Sequence, residues 1–195
     1  MGVKLTVEAI RNWKSEQQRK IVMITAYDAL DARYAARDGI DILLVGDSVG
    51  SVKLGLNDVK DVTPEMIEYH TAAVRRGAES AFIASDVPYL SMQKSDQGLI
   101  ADCRRFVDAG ADSVKIESDG AGVGRVAAVV SAGIPVIGHI GYTPQTADII
   151  GVSVVQAKSA GKAIQLIKTA QALEKAGCFF LLCELIPGRV GKILA

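Results

Sequence analysis

The sequence predicts an alternating α/β protein of the (β/α)8 TIM-barrel type, and three observations carry that prediction. From Ile21 onward, short apolar runs alternate strictly with segments of helical periodicity. Five of the runs, Ile42–Asp47, Ala81–Asp86, Ser113–Glu117, Ile134–His139 and Cys178–Glu184, follow closely on Gly39, Gly77, Gly110, Gly133 or Gly177. Glycine just past a helix, then a buried strand, marks an αβ connection. Each run also stops on a residue able to do chemistry, and parallel α/β folds hold their ligands at the carboxyl ends of the strands.

The elements follow in order. Residues 5–18 read as a short amphipathic helix with Val7, Ile10 and Trp13 at helical spacing, ahead of a first strand Ile21–Ala26. A helix over Ala29–Arg37 closes at Gly39. Ser48–Val62 lacks a helical pattern, and a loop of that length at a strand's carboxyl end is functional or carries a small extra element. The next helix has Thr63 as N-cap, Pro64 at its first position, Glu65 in its first turn and Arg75-Arg76 before Gly77. Further helices are expected over about 95–107, 122–131 and 161–175, and Pro187 opens another. The turn after the first strand, Thr25-Ala26-Tyr27-Asp28-Ala29, has none of the phosphate-cradling glycines of a dinucleotide-binding sheet, which favours the barrel. A complete eight-stranded barrel takes ~250 residues. This chain therefore accounts for about six of the eight βα units, as a single incomplete barrel domain over 1–195 with no linker.

A chain of 195 residues buries ~70% of its unfolded surface, enough for a sizeable core. Its 22 basic and 22 acidic residues cancel, which argues against a nucleic-acid or membrane-surface partner. Cys103, Cys178 and Cys183 lack CxxC spacing and lie in apolar contexts, as reduced packing residues of a cytoplasmic protein do. No apolar stretch nears the ~18 residues of a membrane span, and the N-terminus lacks a signal-peptide core. Met1-Gly2-Val3-Lys4-Leu5-Thr6 fits the loose myristoylation pattern, but that pattern is short enough for chance.

The strand ends define the chemistry. Side chains alternate along a strand, so Lys115 and Glu117 share a face. Asp47, Asp86 and Glu117 would converge at the tops of three consecutive strands, where carboxylates raise one another's pKa unless a cation neutralises them. A hard oxygen-ligated ion, Mg2+ by preference, resolves that conflict; the alternative is that each acid caps a helix or is solvated. Glu184 ends the most apolar run, where partial desolvation would tune it as a general base, with a buried ion pair as the alternative. His139 closes a strand, where a lone histidine is more often a hydrogen-bonded structural group than a catalyst, and His70, in mid-helix, reads more clearly still as structural. Mg2+ chelated by a 2-oxo acid would acidify the adjacent carbon, and Glu184 would take the proton.

The motifs go further. Thr25-Ala26-Tyr27-Asp28, Val45-Gly46-Asp47-Ser48, the string Tyr69 to Gly77, Val114-Lys115-Ile116-Glu117, Gly138-His139-Ile140-Gly141-Tyr142-Thr143-Pro144-Gln145 and Cys183-Glu184 occur in this order. Together they resemble the ketopantoate (3-methyl-2-oxobutanoate) hydroxymethyltransferase family from about Leu5 to Pro187. The resemblance implies a barrel of the phosphoenolpyruvate/pyruvate class. It also implies hydroxymethyl transfer from methylene-tetrahydrofolate to 3-methyl-2-oxobutanoate, giving 2-dehydropantoate for pantothenate and coenzyme A biosynthesis. Residue by residue, it implies Mg2+ on Asp47 and Asp86 with Glu117 near the metal through water. Ser48, Lys115 and His139 would contact the oxo acid together with the metal-bearing Asp47 and Asp86, and Glu184 would be the catalytic base. It further implies a homo-oligomer, commonly a decamer. Two departures stand out. The family's Gly-Gly-Tyr-Lys/Arg-Val-Gln-Gly loop reads Gly151-Val152-Ser153-Val154-Val155-Gln156-Ala157 here, and the glycine-rich seventh strand with all that follows it is absent from the sequence. Two other readings stay open: another Mg2+-dependent 2-oxo-acid lyase or mutase, and a non-catalytic truncated subunit acting by association.

Overall fold

The computed structural model describes residues 4–16, 19–150 and 154–195. The chain packs as two compact units, Met1–Val114 and Lys115–Ala195, and the division falls inside a strand.

The first unit contains α1 (Val7–Glu16), β1 (Met23–Thr25), α2 (Ala29–Arg37), β2 (Ile42–Val45), α3 (Val49–Val52), α4 (Pro64–Gly77), β3 (Phe82–Asp86), α5 (Tyr89–Met92) and α6 (Asp96–Asp108). It also holds the first two residues of β4 (Ser113–Glu117). β1, β2 and β3 run parallel in that order, with Ile24, Leu43 and Ile83 in register. β4 starts beside β3, where Asp112 N donates to Ile83 O at 2.7 Å and Asp112 Oδ2 accepts from Ile83 N at 2.8 Å. The strands are near-continuous apolar runs because parallel strands carry helices on their faces. Leu43, Val45, Ile83, Val74 and Ala32 are fully buried in one core, each large side chain contributing ~1.5–3 kcal/mol.

Capping sets the helix starts. Asp28 accepts from the backbone N–H groups of Leu30 and Asp31, Thr63 from Met66 and Ser95 from Gly98, satisfying donors that a helix start leaves unbonded. α2 matches the sequence expectation in both bounds, and α4 begins at Pro64 as expected. Gly39 and Gly110 have φ of +80° and +118°, the left-handed conformation that ends a helix. Gly77 closes α4 as its last residue, and a methyl there would collide with the backbone of Ala29. Its bareness lets α4 pack on α2. The 48–62 segment holds α3 and a 3-10 turn at Val59–Asp61, the expected small extra elements.

β1 is shorter than the expected Ile21–Ala26, and Val22 and Ile24 are 45% and 47% exposed. Among the described residues it pairs with β2 alone, so its other edge stays open. The pairing is secured by the buried Asp41, which accepts from Arg19 Nη1 at 2.6 Å and from Val22 N at 2.8 Å. The Arg19 hydrogen bond is the main cause that holds the Asp41 carboxyl below its ordinary value. Arg75, near the end of α4, donates to the carbonyls of Ala81 and Gly110 and to Asp112 Oδ2, joining the starts of β3 and β4.

The second unit holds the rest of β4, then α7 (Val123–Ser131), β5 (Val136–Gly141), α8 (Ala147–Ile150), α9 (Ala160–Lys175), β6 (Phe180–Glu184) and α10 (Gly188–Leu194). Past β4, Ser118 N donates to His139 O at 2.9 Å. β5 and β6 are parallel, from the pair Ile137 and Phe180 to Gly141 and Glu184. Ile116, Val126, Val129, Ile137, Ile140 and Leu173 are fully buried. β6 departs from the buried strand its sequence suggests, being only half-buried, with Cys183 exposed rather than packed. The reason is positional: among the described residues β6 has a strand on one side only. Burial still pushes the Cys178 thiol up to about 11 and the Cys183 thiol up, so neither is poised as a thiolate. The expected helix 5–18 and the loop 151–157 are each seen in part, since residues 17–18 and 151–153 lie outside the described residues, as does Gly2 of the myristoylation pattern.

Two stability outcomes follow. Gly77→Ala should cost ~2–3 kcal/mol through forced separation of α4 from α2, read as a clear drop in thermal midpoint. Asp41→Asn should cost about 2 kcal/mol at neutral pH, the worth of a charged hydrogen-bond partner. Because the native Asp41 pKa is lowered, its contribution is complete above the unfolded value of ~3.9 and fades as pH falls through the native one. The two proteins should therefore converge in stability in acid, in urea titrations run across pH.

Candidate functional site

Each unit carries its own polar cluster at strand carboxyl ends. In the first, Asp47 follows β2 and Asp86 ends β3, and both are nearly fully buried, at 4% and 3% exposure. Asp86 Oδ2 accepts a hydrogen bond from Asp47 N at 3.0 Å. Gly46 permits this closeness, since a Cβ there would lie 3.0 Å from Ser48 Oγ and 3.5 Å from Asp86 Oδ2. Ser48 Oγ lies 2.8 Å from the hydroxyl of the buried Tyr27. His70 Nδ1 lies 2.6 Å from Tyr27 O. A carbonyl only accepts, so Nδ1 carries the proton. His70 is thus structural, as expected, and what it holds is the tyrosine that orients Ser48. Tyr27 was visible in the Thr25–Asp28 motif, but nothing in its spacing announced a bond reaching Ser48.

In the second unit, Lys115, Glu117 and His139 are all buried. Lys115 and Glu117 reach the same histidine, as strand alternation requires. Lys115 Nζ lies 3.2 Å and Glu117 Oε1 3.5 Å from His139 Nδ1, while Glu184 Oε2 lies 3.2 Å from Nε2. Neither carboxylate contact is aligned as a hydrogen bond, so His139 Nε2 and Glu117 Oε1 are buried polar atoms left without one. The other oxygen of Glu117 accepts from Gln145 N at 3.0 Å. Gln145 closes the Gly138–Gln145 motif in the turn after β5, but it reaches Glu117 through its backbone N–H, which its side-chain identity does not announce.

Burial and the nearby Lys115 both push His139 toward its neutral form, yet Glu117 and Glu184 together hold its pKa above the ordinary value. In the neutral ring Nδ1 accepts from Lys115, and in the charged ring Nδ1–H turns its charge toward Glu117. Glu184 itself is 41% exposed on its side chain, so it is only partly desolvated.

The donor set fits a hard cation. In the first unit the buried pair Asp47 and Asp86 offers oxygens only. Among the described residues no group of three or more His, Cys, Asp or Glu side chains forms a ready-made cage. Mg2+ does not require one, because it is commonly held by one or two carboxylates and retained waters.

The model of the ketopantoate hydroxymethyltransferase family matches residues 4–195. The chain belongs to that family. It is 44% identical over 189 residues to a 3-methyl-2-oxobutanoate hydroxymethyltransferase of Thermotoga neapolitana, covering 96% of this chain and 69% of that one. It is 43% identical over 176 residues to the enzyme of the same name from Shouchella clausii, covering 90% and 63%. The chain thus spans roughly two thirds of the length of these curated relatives. Among solved structures it resembles a phosphonopyruvate hydrolase in complex with oxalate and Mg2+, with a TM-score of 0.70 at 17% identity over 92% of this chain and 63% of that one. A 2,3-dimethylmalate lyase of the PEP mutase/isocitrate lyase superfamily gives 0.68 at 17%, covering 99% and 66%. A putative phosphonomutase from Burkholderia cenocepacia gives 0.74 at 14%, covering 97% and 79%. Likeness at that identity establishes the fold alone, an α/β architecture of the TIM-barrel type, with six strands among the described residues.

The electrostatics have a direct readout in the histidine NMR titration of the ketopantoate hydroxymethyltransferase-family chain. Lys115→Met should raise the His139 pKa, and Glu117→Gln should lower it. Since the native value is raised, the stabilisation His139 contributes is complete below the unfolded value of ~6.5 and is lost as pH rises through the native one.

Proposed function

We propose that this chain carries the activity of its family, transfer of a hydroxymethyl group from methylene-tetrahydrofolate to 3-methyl-2-oxobutanoate. The observation that carries the reading is the buried Lys115, Glu117 and His139 cluster with Glu184 at the second histidine nitrogen, in a chain matched by the family model from residue 4 to 195. Asp47 and Asp86 would hold Mg2+, with Glu117 reaching it through water. When bound, the ion supplies Lewis-acid polarisation of the keto group.

The chain's own residues supply the rest. Lys115 offsets the carboxylate charge of the oxo acid, a role suited to a buried ammonium. Ser48, held by Tyr27, donates or accepts a hydrogen bond at the substrate's edge. Glu184 removes the proton from C3 and leaves an enolate carbon ready to attack the one-carbon unit. His139 steadies Glu184 through Nε2, and its charge responds to the proton that Glu184 gains. The reading includes a cytoplasmic homo-oligomer, in line with a chain in which no described helix is long and apolar enough to cross a membrane.

The test isolates enolisation from folate. Mg2+-dependent deuterium exchange at C3 of 3-methyl-2-oxobutanoate, followed by proton NMR, should proceed with the unsubstituted chain. It should stop with chelator and fall by ~10²–10⁴ in Glu184→Gln, the usual worth of a general base. A folded chain that shows no exchange with Mg2+ present would contradict the reading.

A further inference from the structure

Four side chains of α6 recur at helical spacing and are buried: Leu99, Asp102, Cys103 and Phe106. Three are apolar, as the inward stripe of a helix requires, and the fourth is a carboxylate only 3% exposed. Asp102 takes no part in the chemistry proposed above. Replacing a buried ion pair by apolar residues is often neutral or stabilising, so stability alone does not account for a charge at this position. A place where the local pattern is broken at a cost is where a functional constraint is expected.

The partners of Asp102 identify that constraint. Its Oδ2 accepts from the hydroxyl of the fully buried Ser91 at 2.6 Å. Lys94 Nζ donates to Oδ1 at 3.0 Å and lies 2.7 Å from Oδ2. Ser91 belongs to α5, and Lys94 lies just past its end. α5 opens at Tyr89, separated from Asp86 only by the buried Val87 and the cap Pro88. It also packs against the 3-10 turn Val59–Asp61, where Lys60 Nζ stands 5.1 Å from the centre of the Tyr89 ring. That turn lies in the segment that follows Asp47 and Ser48. The chain leaving each of the two buried acids is thus led to α5, and Asp102 pins α5 to α6. A helix of four residues is not stable by itself, so contacts of this kind set its position.

We propose that Asp102 and Ser91 are positioning residues for Asp86: by pinning α5 they fix the Asp86 carboxylate against the backbone of Asp47, and with it the spacing of the two acids. The Mg2+ half of the inference rests on the function proposed above. The geometric half does not, because Asp86 Oδ2 accepts from Asp47 N at 3.0 Å in the chain itself. What the pin supplies is preorganisation. Mg2+ demands near-ideal octahedral placement of its few protein oxygens, so a small displacement of one carboxylate is felt in affinity.

NMR of the full chain reads Asp86 in two ways. The shift of the Asp47 amide proton reports its hydrogen bond to Asp86, and titration with MgCl2 in the same spectra reports the affinity for the metal. Ser91→Ala should move that proton upfield and weaken Mg2+ binding roughly three- to tenfold, a part of the worth of one hydrogen bond to a charged group. Asp102→Ala should do the same. Asp102→Asn should stay near the unsubstituted chain in both readouts, because its amide still bonds the Ser91 hydroxyl and the half-exposed Lys94 turns to water. Asp41→Asn, which destabilises the same unit from the start of β2, should move neither. An Asp47 amide unmoved by Ser91→Ala, or moved as far by Asp41→Asn, would overturn the proposal. If Mg2+ fails to bind the unsubstituted chain, the metal reading falls while the Asp47 shift still decides the positioning. If Mg2+ binds all the variants alike, the positioning falls and the metal reading stands.

Discussion

Burying Lys115 two residues from Glu117 on one strand is the constraint around which the second unit is arranged. Each charge costs several kcal/mol to take out of water, so neither is tolerated without a partner of good geometry. The strand alternation brings both to one face, where His139 meets the ammonium and lies near the carboxylate. Gln145 N takes the second carboxylate oxygen. The turn after β5 supplies Gln145 N, and the β5–β6 pairing sets Glu184 opposite Gly141, with its carboxylate at the histidine's other nitrogen. The first unit repeats the theme on a smaller scale: Asp86 is satisfied in part by the backbone of Asp47, and Gly46 gives the room.

Much of this was legible in the sequence, for identifiable reasons. Helix starts were readable because capping is local: Asp28, Thr63 and Ser95 each satisfy donors two or three residues away. Strand ends were readable because parallel strands are short, apolar and closed by polar residues, and β4 spans the expected Ser113–Glu117. Gly77 closes α4 as expected, but its second constraint, the backbone of Ala29, lies in a neighbour distant in sequence and left no local mark. The exposure of β6 was misread because apolar composition does not reveal whether a strand has one neighbour or two. Tyr27 and Gln145 escaped as positioning residues because their partners lie 21 and 28 positions away.

The comparisons divide the same way. The fold is shared with phosphonopyruvate hydrolase and 2,3-dimethylmalate lyase at 17% identity, because a parallel α/β architecture survives nearly complete sequence replacement. The helix string from Tyr69 to Gly77 serves packing in this chain: Thr71 bonds Ser85 at 2.7 Å, His70 the carbonyl of Tyr27 and Arg75 the start of β4.

The central claim is that the strand-end acids handle a divalent cation together with a 2-oxo acid. Its most direct test is calorimetric titration of Mg2+ into the chain with and without saturating 3-methyl-2-oxobutanoate. The account predicts that the oxo acid tightens Mg2+ binding, that Mg2+ tightens oxo-acid binding by the same factor, and that Asp47→Asn removes both effects in a folded protein. Mg2+ binding indifferent to the oxo acid, or coupling that survives Asp47→Asn, would contradict it.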